Sequence, residues 1–174
     1  MHAPRILLLP ALLAASACGK EPAMQFATTA FADGAAIPAA CTGDGADRSP
    51  ALSWSGAPSG TRAFAILVDD PDAPVGLWTH WVLYDLGGDS VGLDAGQART
   101  PALPGGARQG SNSWGNLGWN GPAPPPGKPH RYFFRIYALA APLGLEPGAT
   151  AAQVQTAMKG RILAEGKFMG TYRR

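Results

Sequence analysis

Cysteine is scarce in this 174-residue chain, with only Cys18 and Cys41, so a disulfide framework is not what holds it together. Charge is sparse too. Lys and Arg number 14 against 12 Asp and Glu, a formal +2, and no basic run gathers them. Electrostatic binding to nucleic acid therefore has no support. There is no internal repeat, and low complexity is confined to residues 122–129. The histidines lack metalloprotease spacing, and a serine nucleophile elbow is not expected. What is plentiful is glycine, at 23, and proline, at 17, beside 46% hydrophobic residues. That mixture points to a turn-rich, mainly β globular chain and away from disorder.

The beginning of the chain does not read like the rest. Arg5 supplies a positive charge, residues 6–13 form an apolar run too short to span a bilayer, and Ala14, Ala15, Ser16 and Ala17 lead into Cys18. This is the layout of a secretory signal, and small residues running into cysteine resemble a bacterial lipobox. The expectation is a cleaved signal at 1–17, lipidation at Cys18 and a short tether over 18–25. An ordinary secretory signal cut nearby is the alternative, and would leave Cys18 free to pair with Cys41. The lipobox implies a bacterial cell-envelope protein on the periplasmic side. The absence of Asp after Cys18 favours the outer membrane where the host has one.

Without residues 1–17, 157 residues remain, enough for one domain. Loss of Arg5 lowers the formal charge to +1. Between turns at Asp44-Gly45, Ser49-Pro50 and Pro58-Ser59-Gly60, only short strands fit, such as one around Leu52-Ser53-Trp54. Residues 63–68 are an uninterrupted apolar run, as a strand covered on both faces requires. Residues 78–86 are aromatic and β-branched, and strict alternation places Trp78, His80, Val82, Tyr84 and Leu86 on one face. Alternation likewise puts His130, Tyr132, Phe134, Ile136 and Ala138 opposite Arg131, Phe133 and Arg135. A loop as long as 87–129 is usually functional. Thr150 and Gln153 form a capping box, and Val154, Met158 and Ile162 recur at helical spacing. One helix is expected over 151–165, weakened by Gly160 and stopped by Gly166.

Chemistry concentrates in three places. Asp70 and Asp72 follow the buried strand in a turn fixed by Pro71 and Pro74; they are either cavity carboxylates or turn residues bonding their own backbone. His80 and His130 join apolar strand faces, where an unpaired ring is costly. The run from Gly121 to Gly127 is a stiff, proline-rich approach to His130.

Taken together, Asp70-Pro71-Asp72-Ala73-Pro74, Trp78-Thr79-His80-Trp81-Val82 and the run from Gly121 through His130-Arg131-Tyr132 resemble the phosphatidylethanolamine-binding protein family in composition and order. Residues 33–54, 110–115 and 170–172 extend the resemblance over nearly all of 26–174, and the bacterial Raf-kinase-inhibitor-like branch is the most similar. The resemblance implies a large antiparallel sheet packed on a smaller one, plus a C-terminal helix. It also implies an anion-accepting pocket at Asp70, Asp72, Trp78, His80, Gly121, Pro122, His130 and Tyr132, with Cys41 where an aromatic residue is usual. The implied function is non-catalytic binding of a small anionic or phosphorylated ligand, without cofactor or metal, and with a possible protein partner in the envelope. In this pocket the carboxylates are expected to favour charged histidines, and Gly121 to offer a backbone amide. Two alternatives remain: a metal-dependent or acid–base hydrolase built on the same Asp/His cluster, and a protease or hydrolase inhibitor acting through the proline-rich loop.

Overall fold

A computed structural model describes residues 24–174; the expected signal, Cys18 and most of the tether lie outside the described residues. The elements are β1 (Gln25–Ala27), β2 (Leu52–Ser55), β3 (Ala63–Asp70), β4 (Trp78–Gly87), β5 (Gly92–Leu93), β6 (Arg108–Gln109), β7 (His130–Leu139), α1 (Ala151–Met158) and β8 (Ile162–Tyr172). They form two antiparallel sheets, one ordered β1-β2-β5 and the other β6-β4-β3-β7-β8. Met24 is buried and Gln25 already pairs with Ser55. The domain thus includes two residues assigned above to the tether.

The central strand β3 explains its own composition. Phe64, Ile66 and Val68 face an aromatic core with Phe26 and Trp54 of the small sheet, while Ala63, Ala65 and Leu67 face a second cluster with Val154 and Met158 of α1. Both faces are covered, so no polar residue interrupts the strand before Asp69. Fully burying each large aliphatic or aromatic side chain contributes about 1.5–3 kcal/mol, and all eight residues of β3 are buried.

Alternation holds along β7, where Tyr132, Phe134, Ile136 and Ala138 share the aromatic core. It fails along β4. Val68 pairs with Trp81 but Asp69 pairs with Thr79, and a second irregularity separates Phe64 from Ile66. Each bulge adds unpaired residues and resets the period of two. Trp81, Leu83 and Leu86 consequently lie in the aromatic core, while Val82 and Tyr84 lie in the α1 cluster. The single face expected from Trp78 to Leu86 is divided. The bulge at His80 lets two consecutive rings reach the same aromatic layer: His80 meets Tyr132 and Trp81 meets Trp119.

The helix is also shorter than expected. Its capping box forms, with Thr150 and Gln153 bonded reciprocally, but it ends at Met158, two residues before Gly160 at φ 73°. Ile162 is partly exposed and starts β8, pairing with Leu139. Gly166 is no helix stop: a Cβ there would lie 2.8 Å from the Met24 carbonyl oxygen. Glycine is what lets β1 cross β8 closely.

Candidate functional site

The chain ends of three central strands build one cavity. Pairing of Asp70 with Trp78, Asp69 with Thr79 and Asp69 with Phe133 brings the end of β3 beside the starts of β4 and β7. The result is a pocket of about 210 Å³ lined by Asp70, Trp78, His80, His130 and Tyr132, with Trp114 and Pro124 among the loop residues that close it. It is smaller than the roughly 300–1,000 Å³ of drug-sized sites. Five of the eight expected site residues are thereby brought together.

The polar groups inside are tightly specified. Asp70 is buried; its Oδ1 accepts the Asp72 N–H at 2.8 Å and its Oδ2 lies 2.8 Å from His130 Nδ1. It is therefore both a turn residue and a histidine partner, uniting the two roles left open above. His80 Nδ1 lies 2.6 Å from the Asn120 carbonyl oxygen, and the Asn120 N–H donates back to the His80 carbonyl at 3.1 Å. Asn112 fixes Asn120 in turn, its Nδ2 donating to Asn120 Oδ1 at 2.7 Å. Trp114 and Tyr132 meet the His80 ring edge-on, with centroids 5.0 and 5.1 Å away. Nε2 of both histidines has no hydrogen-bond partner among the described residues. The Tyr132 hydroxyl is buried and likewise unpartnered.

Burial pushes the His80 pKa below its ordinary value, outweighing the Asn120 hydrogen bond and the Asp70 charge, which act upward. Charged histidine is therefore not favoured at position 80, contrary to the expectation from nearby carboxylates. Burial also pushes the Tyr132 pKa well above its ordinary value, with the Asp70 charge adding to it, so the hydroxyl keeps its proton. Burial likewise raises the pKa of Asp69 despite its contacts with Thr79 and Arg135.

Three expected residues are elsewhere. Asp72 faces away and forms a bidentate pair with Arg131, with Nε–Oδ2 at 2.9 Å and Nη2–Oδ1 at 2.8 Å; these bonds hold its pKa at about 2. The Gly121 N–H is taken by Asp47 Oδ1 at 2.6 Å, so it is not free for a ligand, and the Pro122 carbonyl accepts the Gly43 N–H. A Cβ on residue 121 would lie 2.4 Å from the Cys41 carbonyl oxygen. Gly121 and Pro122 fasten the proline-rich loop onto residues 41–47, and Cys41 is buried there. Trp114 and Asn120 went unrecognised in the sequence. No local pattern marks them, because their roles come from long-range packing against β4.

Other candidate sites are weaker. Gly88-Asp89-Ser90-Val91-Gly92 does have nucleophile-elbow spacing, correcting the expectation of none. It joins strand β4 to strand β5 at the end of β4 remote from His80, whereas an elbow joins a strand to a helix. Among the described residues, no group of three His, Cys, Asp or Glu is placed to hold a metal ion. A larger groove of about 720 Å³ lies between β1 and β8, lined by Phe26, Phe31 and Phe168 together with the charged Asp33, Arg135, Glu165 and Lys167. It contains none of the buried unpartnered polar atoms. No described helix is long and apolar enough to cross a membrane.

A family model described as phosphatidylethanolamine-binding protein matches residues 27–173. A UPF0098 protein of Methanothermobacter thermautotrophicus is 48% identical over 151 residues, covering 87% of this chain and 99% of that one. A UPF0098 protein of Aquifex aeolicus is 42% identical, covering 87% and 89%. Among solved structures, the phosphatidylethanolamine-binding protein homolog CT736 of Chlamydia trachomatis superposes with a TM-score of 0.79 at 38% identity, covering 87% of this chain and 98% of that one. YBCL of E. coli, described as a member of the mammalian PEBP family, gives 0.81 at 31% identity, with the same coverages. The two-sheet fold and these similarities agree: the chain belongs to the phosphatidylethanolamine-binding protein family.

Proposed function

We propose that this is a non-catalytic binding protein whose pocket takes a small phosphate-type anion, and that it is exported and lipid-anchored through Cys18. Family membership supports a binding protein in general. One observation carries the anion reading: two imidazoles have Nδ1 fixed by a protein acceptor, leaving Nε2 of each unpartnered in the same small cavity. The Tyr132 hydroxyl, buried and unpartnered, is an unspent donor in the lining. The Asp70 carboxylate holds the His130 ring by Nδ1 in the cavity lining. Calorimetry with inorganic phosphate tests the reading: saturable binding that is lost in His130→Ala is expected, and no binding, or unchanged affinity in the variant, would refute it.

Export and anchoring rest on Arg5, the apolar run and the small residues before Cys18. Metabolic labelling with radioactive palmitate should mark the native chain but not Cys18→Ala, which should leave the membrane fraction. An unlabelled native chain would leave ordinary secretion as the better account. With such an anchor the pocket would work on the periplasmic side of the envelope, at the outer membrane where the host has one. A protein partner there fits the proline-rich loop.

A further inference from the structure

We propose that two copies of this chain pair through the open edge of β8, in a register fixed by Glu165 and Lys167. Strand β8 ends the five-stranded sheet, with β7 on one side only. The last part of its other side is covered. Met169 O accepts the Gly34 N–H at 2.8 Å, the Met169 N–H donates to Asp33 Oδ1 at 2.9 Å, and Thr171 bonds to Ala35 and Ile37. Pairing with β7 runs without a bulge from Ala164 to Tyr172, so the period of two carries this outward direction back to Lys167 and Glu165. Their backbone N–H and C=O groups have no backbone partner across that edge among the described residues. Such a row of unpaired groups is a template for another strand.

The side chains along the edge specify which strand it accepts. Lysine commonly blunts an exposed edge, but here it stands two residues from Glu165, and both side chains are exposed on the same face. Neither forms an ion pair among the described residues. A two-fold axis through Gly166 sets Glu165 of each copy opposite Lys167 of the other, at positions whose backbone points outward. In antiparallel pairing such residues exchange both their N–H···O bonds. The neighbouring registers fail. Centring on Glu165 opposes two glutamates and centring on Lys167 opposes two lysines, whereas opposite charges across a strand pair attract.

The groove between β1 and β8 opens beside this same edge. Glu165, Gly166, Lys167 and Phe168 form its β8 side, and Phe26 and Phe31 lie across from them. The axis brings the grooves of the two copies together, so that apolar surface is covered along with the backbone edge. Gly166 suits a position on the axis, because residues facing each other between the bonded pairs approach to about 4.5 Å between Cα atoms. Pairing ends beyond Lys167, where Asp33 and Gly34 already hold Met169.

Sedimentation equilibrium of the full chain in density-matched detergent tests this. The native chain should sediment as a dimer that dissociates on dilution. Glu165→Lys and Lys167→Glu should each associate about tenfold or more weakly, because the symmetry applies each change at both ends of the pairing. Both residues are exposed, so neither change disturbs the core. Mixed in equal amounts, the two variants should associate as tightly as the native chain, since a wholly basic edge then meets a wholly acidic one. Hydrogen exchange gives an independent reading: the Glu165 and Lys167 amides should be protected only at concentrations where the dimer forms. A monomeric native chain, single variants that associate like the native chain, or a mixture that stays monomeric overturns the proposal. So does protection that does not depend on concentration, which would mean that the edge is covered within a single chain.

Discussion

Tyr132→Phe should make the unliganded protein more stable while weakening its hold on phosphate. The Tyr132 hydroxyl is buried and no described protein group bonds to it, and leaving a buried hydroxyl unpaired costs about 1–3 kcal/mol. The ring itself is well used, packed in the aromatic core and edge-on against His80. Phenylalanine keeps those contacts, so the loss is one polar atom and the small dispersion it contributed. The expected net gain is about 1–2 kcal/mol. For a domain of this size, each kcal/mol corresponds to roughly 2–4 °C in Tm, so the midpoint should rise by about 2–8 °C. Urea denaturation should show a higher midpoint at unchanged slope. Phosphate affinity should fall, because burial keeps the phenol protonated and therefore available as a donor. A variant no more stable than the native protein would refute the reasoning: the hydroxyl would then be satisfied in the free protein rather than held in reserve for a ligand.

Two further predictions separate residues that the sequence groups together. Asp70→Asn should weaken phosphate binding about tenfold or more, since the amide replaces the carboxylate that holds His130 Nδ1 in the pocket. Asp72→Asn should leave affinity within about twofold, because its carboxylate serves Arg131 in a largely exposed pair worth little to stability; comparable losses in both variants would contradict the assigned geometry. His80 should also make stability depend on pH. Its folded pKa is lowered, so the unfolded chain binds a proton first as pH falls. Stability should be intact above the ordinary value of about 6.5 and decline as pH drops through it towards the folded pKa. Urea midpoints at pH 7.5, 6.0 and 5.0 should show this decline in the native protein and less of it in His80→Gln; equal declines would remove His80 as the cause.

Much of the fold was legible because burial on two sides leaves a plain mark. The apolar run of β3, the alternation of β7 and the capping box of α1 each report a local physical demand that one segment can satisfy. Strand β4 resisted because its two bulges depend on pairing with β3, and a period-two count cannot reveal a residue with no partner opposite it. The expected extension of α1 failed for a related reason. Ile162 sits four residues after Met158, at helical spacing, but its environment is set by Leu139 across the sheet. Nothing within residues 151–165 states that preference.

The site was legible at the level of motifs and not of roles. Asp70 and Asp72 are two residues apart in one turn, yet one binds His130 inside the pocket and the other binds Arg131 outside it. Their divergence follows from the strand pairing, since successive residues of β7 point to opposite faces and carry their two partners with them. Gly121 and Pro122 belong to the same motif as His130, but they hold the wall that His130 helps to line. A shared motif therefore contains residues that line the cavity and residues that keep its wall in place. The partners of the two histidines divide the work again. A carboxylate holds His130 by Nδ1, whereas a backbone carbonyl holds His80 by Nδ1 and fixes its tautomer. Two histidines in a sequence do not disclose that difference, because each partner arrives from a different element of the fold.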